Sequence, residues 1–204
     1  MNDQDIMDRE DFQSCVGFHG HICPGISLGY RAAKAAMAKL AEYRAGDEEL
    51  VAILETDACF ADAVQVLTGC TFGKGNFIHR DYGKLALTLL SRKSGRGVRV
   101  CLRDGVFASE DEHAVLLKKI MQNEANEKEQ QRFGELRDAR SRSILRMDET
   151  SLFKVEETHT PLPPRAQMAP SRPCDQCKEP TMATKLLQRS GHYFCRACAG
   201  NEEA

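Results

Sequence analysis

The sequence predicts an α+β fold: a mixed or antiparallel sheet with packed helices, plus a small C-terminal metal-dependent module. Three observations predict it. Segments with helical apolar spacing and segments that read as strands do not alternate strictly, which favours α+β over a doubly wound arrangement. Five of the seven prolines (Pro161, Pro163, Pro164, Pro170 and Pro173) fall in "THTPLPPRAQMAPSRP", a density that favours an extended, semi-rigid linker. Four of the nine cysteines crowd into the short segment beyond it. These features divide the chain into a core at 1–158, a linker at 159–173 and a module at 174–204.

In the core, apolar residues recur at Ile26, Tyr30, Ala33, Met37 and Leu40, the spacing of one helix face. Pro24 suits the first turn, where its missing N–H has no intrahelical partner. Gly46 is the expected stop. "LVAILET" reads as a buried strand, and a second helix is expected from Ala58 to Leu67, ending near Gly69. "KLALTLLSR" and "GVRVCLR" read as strands joined around "KSGRG". Ser109 with Glu112 makes a capping-box pattern before "HAVLLKKIM", whose Val115, Leu116 and Ile120 would dock on the sheet. A charged helical stretch runs to Arg146, with Gly134 as a candidate break. Its Leu136, Ile144 and Leu145 are candidates for contact with a second copy of the chain. "LFKVEE" is the last expected strand.

Composition narrows the classes of function. A chain of 204 residues suffices for one full core and a small accessory module. A formal net charge of −2 carries no global nucleic-acid or membrane footprint. No long uncharged apolar run suggests a membrane span, and the acidic start "MNDQDIMDREDF" lacks a signal-peptide pattern. A cytoplasmic location is therefore expected. There, an odd number of cysteines points to metal ligation or free thiols.

"CDQC" and "CRAC" are separated by seventeen residues. Cys174, Cys177, Cys195 and Cys198 thus supply four thiolates at the spacing of a structural zinc site, with no open coordination position. The tail is too short to bury a core, so the metal would supply most of its folding free energy. A redox dithiol or two unrelated pairs is the bland alternative, and ligand count and spacing both favour zinc. "SGHYFCRACAG" resembles the second half of a treble-clef finger, with Tyr193 and Phe194 packing under the metal. Arg172, Lys178, Lys185, Arg189 and Arg196 permit nucleic-acid contact without demanding it.

"GFHGHICPG" raises the question of a second site. Cys23 directly precedes Pro24 at a helix N-terminus, where backbone N–H groups favour anionic sulfur. His19 and His21 lie on the incoming loop, and in extended backbone alternate residues point the same way. Cys59 follows a strand end, and Cys70 follows Gly69 at the end of the next helix. Sulfur plus imidazole suits zinc or another late transition metal. The specific expectation is a core site of His21, Cys59 and Cys70, with His19 or Cys23 nearby. Cys23 and Cys59 are the candidate catalytic residues, should there be chemistry. The bland reading is that such cysteines are small apolar core residues, and Cys15 and Cys101 are assigned to packing.

"GCTFGKGN" is no Walker A loop, because only three residues separate Gly69 from Gly73 and no Ser or Thr follows the lysine. Lys74, Asn76 and Lys84, with His19 and Cys23, are the candidate ligand-binding residues, an anion such as a carboxylate being the expected guest. An ordinary solvated turn is the alternative. Asp57 and Asp62 flank Cys59, either as outer partners of a ligand histidine or, for Asp57, as a helix cap.

"FHGHICPG", "ETDACFADAVQVLTGC" and "TFGKGNFIHRDYGK" together resemble the signature blocks of the FmdE-like family of formylmethanofuran dehydrogenase components, across roughly residues 12–160. The resemblance implies an α+β core, often paired as a homodimer, with a zinc finger in longer members. It also implies an association with molybdenum- or tungsten-dependent reduction of carbon dioxide onto methanofuran. The chain has no molybdopterin-binding signature and no closely spaced cysteines for an iron–sulfur centre. An accessory or ligand-binding role beside dehydrogenase subunits, or another protein partner, is therefore expected over a complete oxidoreductase. The competing reading is a zinc-finger regulatory or adaptor protein contacting protein or nucleic acid. A zinc hydrolase lacks an evident general base. The sequence leaves open whether the chain is an enzyme.

Overall fold

The computed structural model, which describes residues 3–107 and 111–200, begins with two helices beyond those expected, α1 (Asp3–Met7) and α2 (Glu10–His19). Phe12 and Cys15 face inward from α2. Gly20 ends it in the left-handed region (φ 97), a conformation that glycine adopts without steric cost. The next helix, α3 (Pro24–Leu40), starts as expected, with proline in its first turn and Cys23 at its N-cap. It stops at Ala41 rather than at Gly46: Ala41 takes φ 54, and Glu42 N–H bonds back to the Met37 carbonyl.

Strand β1 (Leu50–Leu54) is buried at every position, so its apolar run does not alternate. Helix α4 (Phe60–Thr68) ends at Gly69 and leads to a short strand, β2 (Phe77–His79), that runs parallel to β1. Strands β3 (Ala86–Ser91) and β4 (Gly97–Leu102) form the expected antiparallel hairpin.

Two helices precede the last core strand. Helix α5 (Glu112–Met121) is capped by the Asp111 carboxylate, which accepts from Ala114 N–H at 2.9 Å; Ser109 lies outside the described residues. The reciprocal capping box sits at Asn126 and Glu129, opening α6 (Glu127–Arg146). Helix α6 passes through Gly134 without a break. A helical glycine costs about 1 kcal/mol, and Arg132 braces this turn through Glu112 and Glu135. Helix α7 (Glu149–Leu152) then leads into β5 (Phe153–Thr158).

The sheet order is β2-β1-β3-β4-β5, parallel only between β1 and β2, so the sheet is mixed and the fold α+β. Leu50, Ala52 and Leu54 share the main core with α3, whereas Val51, Ile53 and Leu90 form a smaller cluster on the other face. Helix α5 packs on α6 rather than on the sheet, and Val115 is 51% exposed. Ile144 and Leu145 are buried in the chain's own core and offer no surface to a second copy. Arg31 fixes them there by donating to both of their carbonyls, at 2.9 and 2.8 Å.

The closest helix packing is between α3 and α4. A Cβ at Gly29 would lie 2.2 Å from the Phe60 carbonyl oxygen, so the two backbones meet where only glycine fits. Gly29→Ala is expected to destabilise the core by about 3 kcal/mol, the upper part of the range for overpacking. A lowered denaturation midpoint at unchanged m-value would report it.

The contacts divide the chain into two compact units at Pro164 and Arg165. The first part of the proline stretch is tied to the core, since Arg92 donates to the Pro163 carbonyl at 2.8 Å. The second unit is built of two hairpins, β6 (Ser171–Pro173) with β7 (Pro180–Met182) and β8 (Leu187–Arg189) with β9 (His192–Phe194). Ser190 and Gly191 turn the second hairpin, both at positive φ, as a two-residue connection of matching twist requires. The helix that a treble clef would place after Cys198 falls toward residues 201–204, outside the described residues.

Candidate metal centres

In the second unit, Cys174–Cys177 is the knuckle between β6 and β7, and Cys195–Cys198 follows β9. One ligand atom from each of the four lies within 4.8 Å of all the others. Backbone N–H groups point at the sulfurs: Cys195 N–H at Cys174 Sγ (3.3 Å) and Cys198 N–H at Cys195 Sγ (3.4 Å). The Cys195 N–H in particular lowers the Cys174 thiol to about 6. Asp175 joins the hairpins, accepting from Tyr193 N–H at 2.7 Å. Tyr193 stacks beneath the Arg172 guanidinium, 3.8 Å from ring centroid to carbon. Four thiolates with backbone donors to sulfur fit a closed tetrahedral metal site.

The core group assembles where two helices begin. His19 is the last residue of α2, not part of an extended loop. The left-handed turn at Gly20 reverses the chain and sets the His21 ring against His19, with centroids 4.5 Å apart. Cys23 caps α3, its sulfur accepting from Ile26 N–H at 3.4 Å. Thus His19 and His21 do converge, through a helix end and a glycine turn rather than through strand alternation. His19, His21 and Cys23 each present a ligand atom within 4.8 Å of the others.

Asp62, in the first turn of α4, orients His19. His19 Nδ1 lies 2.7 Å from Asp62 Oδ2, an acceptor that favours the proton on Nδ1, and the other ring nitrogen, Nε2, lies 3.7 Å from Cys23 Sγ. A carboxylate behind an imidazole fixes the tautomer and raises the basicity of the ring as a ligand. Asp57 is exposed, and the α4 N-cap has no side-chain cap bond; the nearby Ala58 N–H is taken by Thr56 Oγ1 instead.

Cys59, the N-cap of α4, lies beside Cys23 because α3 and α4 approach so closely. A Cβ at Gly25 would stand 2.9 Å from Cys59 Cβ. Burial, and then the charge of the neighbouring Cys23, push the Cys59 thiol up. Burial, aided by His19 and Arg137, lowers His21, a shift toward the neutral imidazole that ligates metal. Tetrahedral zinc with sulfur and nitrogen ligands places its donors roughly 3.3–3.8 Å apart. The 3.7 Å between His19 Nε2 and Cys23 Sγ suits such an ion. His21 is the third member of this group, whereas Cys59 lies beside Cys23 but is not among the mutually close ligand atoms of the described residues.

Cys70 does not join this group. It follows the far end of α4, fully buried, its N–H bonded to Thr68 Oγ1 and its thiol pushed up by burial to about 11. Eleven positions separate it from Cys59 across a continuous helix, roughly 16 Å at helical rise. Lys74 and Asn76 are also at that end and are spent internally. Lys74 Nζ donates to the Gly46 and Gly69 carbonyls at 3.0 Å each. Asn76 is fully buried, accepting from Thr71 N–H and donating to the Asp47 and Leu50 carbonyls. Lys84 is bonded through its backbone to Glu55, past the other end of β1, and its ammonium lies 6.0 Å from the Tyr82 ring. The three therefore form no common anion pocket: glycine turns make Lys74 and Asn76 loop staples. Asn76→Ala leaves at least one buried backbone group unpaired and is expected to cost about 2–3 kcal/mol. Thermal denaturation should show it, with metal content per chain unchanged.

Two contributors lie outside the sequence expectations: α2 as the carrier of His19, and Arg137 near His21. The first has a signal, since Phe12, Cys15, Val16 and His19 follow helical spacing and Gly20 is a helix stop.

A family model described as FmdE, molybdenum formylmethanofuran dehydrogenase operon, matches residues 18–154. A protein of Archaeoglobus fulgidus, named a probable S-adenosyl-L-methionine-binding protein, is 36% identical over 191 residues. The match covers 90% of this chain and 51% of that protein, so the chain spans about half the length of this relative. Among solved structures, the fold matches an FmdE-like protein of the tungsten formylmethanofuran dehydrogenase type from Syntrophus aciditrophicus, with a TM-score of 0.60. That alignment covers 99% of this chain and 94% of the other at 24% identity, and it establishes likeness of fold. Among the described residues, no helix is long and apolar enough to cross a membrane.

Proposed function

The chain belongs to the FmdE family, and on that premise we propose that it is a metal-binding accessory protein of one-carbon metabolism, carrying a core metal centre beside a structural zinc module. The observation that carries this reading is the Asp62–His19–Cys23 arrangement, with His21 in the same cluster and Cys59 next to Cys23. A carboxylate-braced histidine aimed at a helix-capping thiol is more than packing requires. Such a centre, when filled, supplies Lewis-acid character toward a small ligand. The protein's own residues do the rest: Asp62 holds the His19 proton at Nδ1, the α3–α4 contact fixes both sulfurs, and Gly20 aims His21. Cys23 is a ligand in this account and Cys59 its neighbour, and any catalytic part for them passes through the metal.

The role is one of partnership with a molybdenum- or tungsten-dependent dehydrogenase, consistent with the operon for which the family is named. A homodimer is the assembly we expect. S-adenosyl-L-methionine is a ligand to test because it appears in the name of the Archaeoglobus protein, half of which lies beyond the match. The adaptor reading keeps one point of support, the basic and aromatic pair Arg172–Tyr193 on the module.

Cobalt titration of the protein with its C-terminal quartet already filled by zinc tests the core centre. Thiolate-to-cobalt charge-transfer absorption should appear at one equivalent. Asp62→Asn, which keeps the shape and weakens the brace, should reduce the affinity by roughly 10–100-fold. An unchanged titration in this variant would remove Asp62 from the account.

A further inference from the structure

We propose that a cleft between α2, α3 and α4 is a second small-molecule site, suited to a zwitterionic metabolite with an aliphatic body. The cleft encloses about 500 Å³, within the range of roughly 300–1,000 Å³ seen for small-molecule sites. Its apolar floor is Met37, Val66 and Leu67. It is distinct from the core metal group: Lys34 in its wall is eleven positions along α3 from Cys23, roughly 16 Å at helical rise.

The ionic inventory selects the ligand. Asp11 is already neutralised, receiving Lys34 Nζ at 3.0 Å, Arg9 Nε at 3.1 Å and the Tyr30 hydroxyl at 3.0 Å. These partners hold its carboxyl well below the usual range, against the opposing effect of burial. Glu10 and Arg44 also line the cleft, and neither has an ion-pair partner among the described residues. Arg44 is pinned to the wall, its Nε donating to the Val66 carbonyl at 2.9 Å. Its two terminal nitrogens remain for a carboxylate, which the planar guanidinium matches bidentately. One uncommitted cation and one uncommitted anion over an apolar floor complement a free aliphatic amino acid. A plain anion would face Glu10 and a plain cation would face Arg44, so each is disfavoured by a like charge.

Isothermal titration calorimetry on the intact, metal-loaded protein tests this with three probes: L-leucine, L-leucinamide and N-acetyl-L-leucine. L-leucine should bind. The other two lack the carboxylate or the ammonium respectively and should each bind about tenfold more weakly, the expected loss for one charge-assisted hydrogen bond. Arg44→Gln should bring L-leucine level with L-leucinamide, and Glu10→Gln should bring it level with N-acetyl-L-leucine. Both side chains are exposed, and an unchanged circular dichroism spectrum checks that the variants fold. The proposal is overturned if L-leucine does not bind in the millimolar range. It is equally overturned if the three probes bind alike, or if neither variant alters the ranking.

Discussion

Chelation of the metal at Cys174, Cys177, Cys195 and Cys198 is expected to unfold residues 165–204 and to leave the core folded. The second unit has little to hold it without an ion. Its strands are three residues long, and among its described residues only Cys174 and Ala199 are buried apolar side chains. Structural zinc in modules of this size supplies about 10–16 kcal/mol of apparent binding free energy, which is folding free energy. No set of two short hairpins recovers that loss. Cys177→Ser should have the same result by removing one of four ligands. Amide hydrogen exchange gives the reading: protection lost through 171–194 and retained in β1, β3 and β4. Protection that survives metal removal would mean that hairpin packing alone suffices.

The second large effect is expected at Cys23. Cys23→Ser keeps a capping acceptor for Ile26 N–H, so the start of α3 should survive, whereas alanine would cost about 1 kcal/mol there. Serine is nevertheless a poor substitute for thiolate at a sulfur-and-imidazole site. Core metal affinity should fall by more than the roughly 10–100-fold expected for an outer partner such as Asp62. A variant that folds and still takes up core metal normally would show that Cys23 is only a cap. Cys59→Ser should act in the same direction but more weakly, since its thiol neighbours Cys23 across the α3–α4 contact without belonging to the ligand cluster.

The fold was legible where local pattern and tertiary environment agree. The apolar face of α3, the fully buried run of β1 and the β3–β4 hairpin follow from spacing and turn chemistry. The edge strand β2 is only three residues long, too short for a period to declare itself. Gly134 looked like a break because propensity is local, while the ion pairs that steady α6 join residues on two helices.

The core site was half legible. His19, His21 and Cys23 do gather, through the end of α2 and the Gly20 turn, while Cys59 reaches only Cys23, by the glycine-enabled approach of α3 to α4, which no single-segment pattern records. Cys70 could have been set aside from the sequence, because a helix expected between Cys59 and Cys70 already holds their side chains at opposite ends. The opposite roles of Lys74 and Lys84 depend on which carbonyls the chain brings near each ammonium, and that is decided by tertiary folding.

Metal content per chain, measured on the intact protein and on Cys177→Ser after anaerobic purification with zinc supplied, tests the account most directly. Two equivalents in the intact protein and one in the variant are predicted, the remaining ion held by the His19–His21–Cys23 group. One equivalent in the intact protein and none in the variant would contradict it, and would leave the core histidines and cysteines as packing and capping residues.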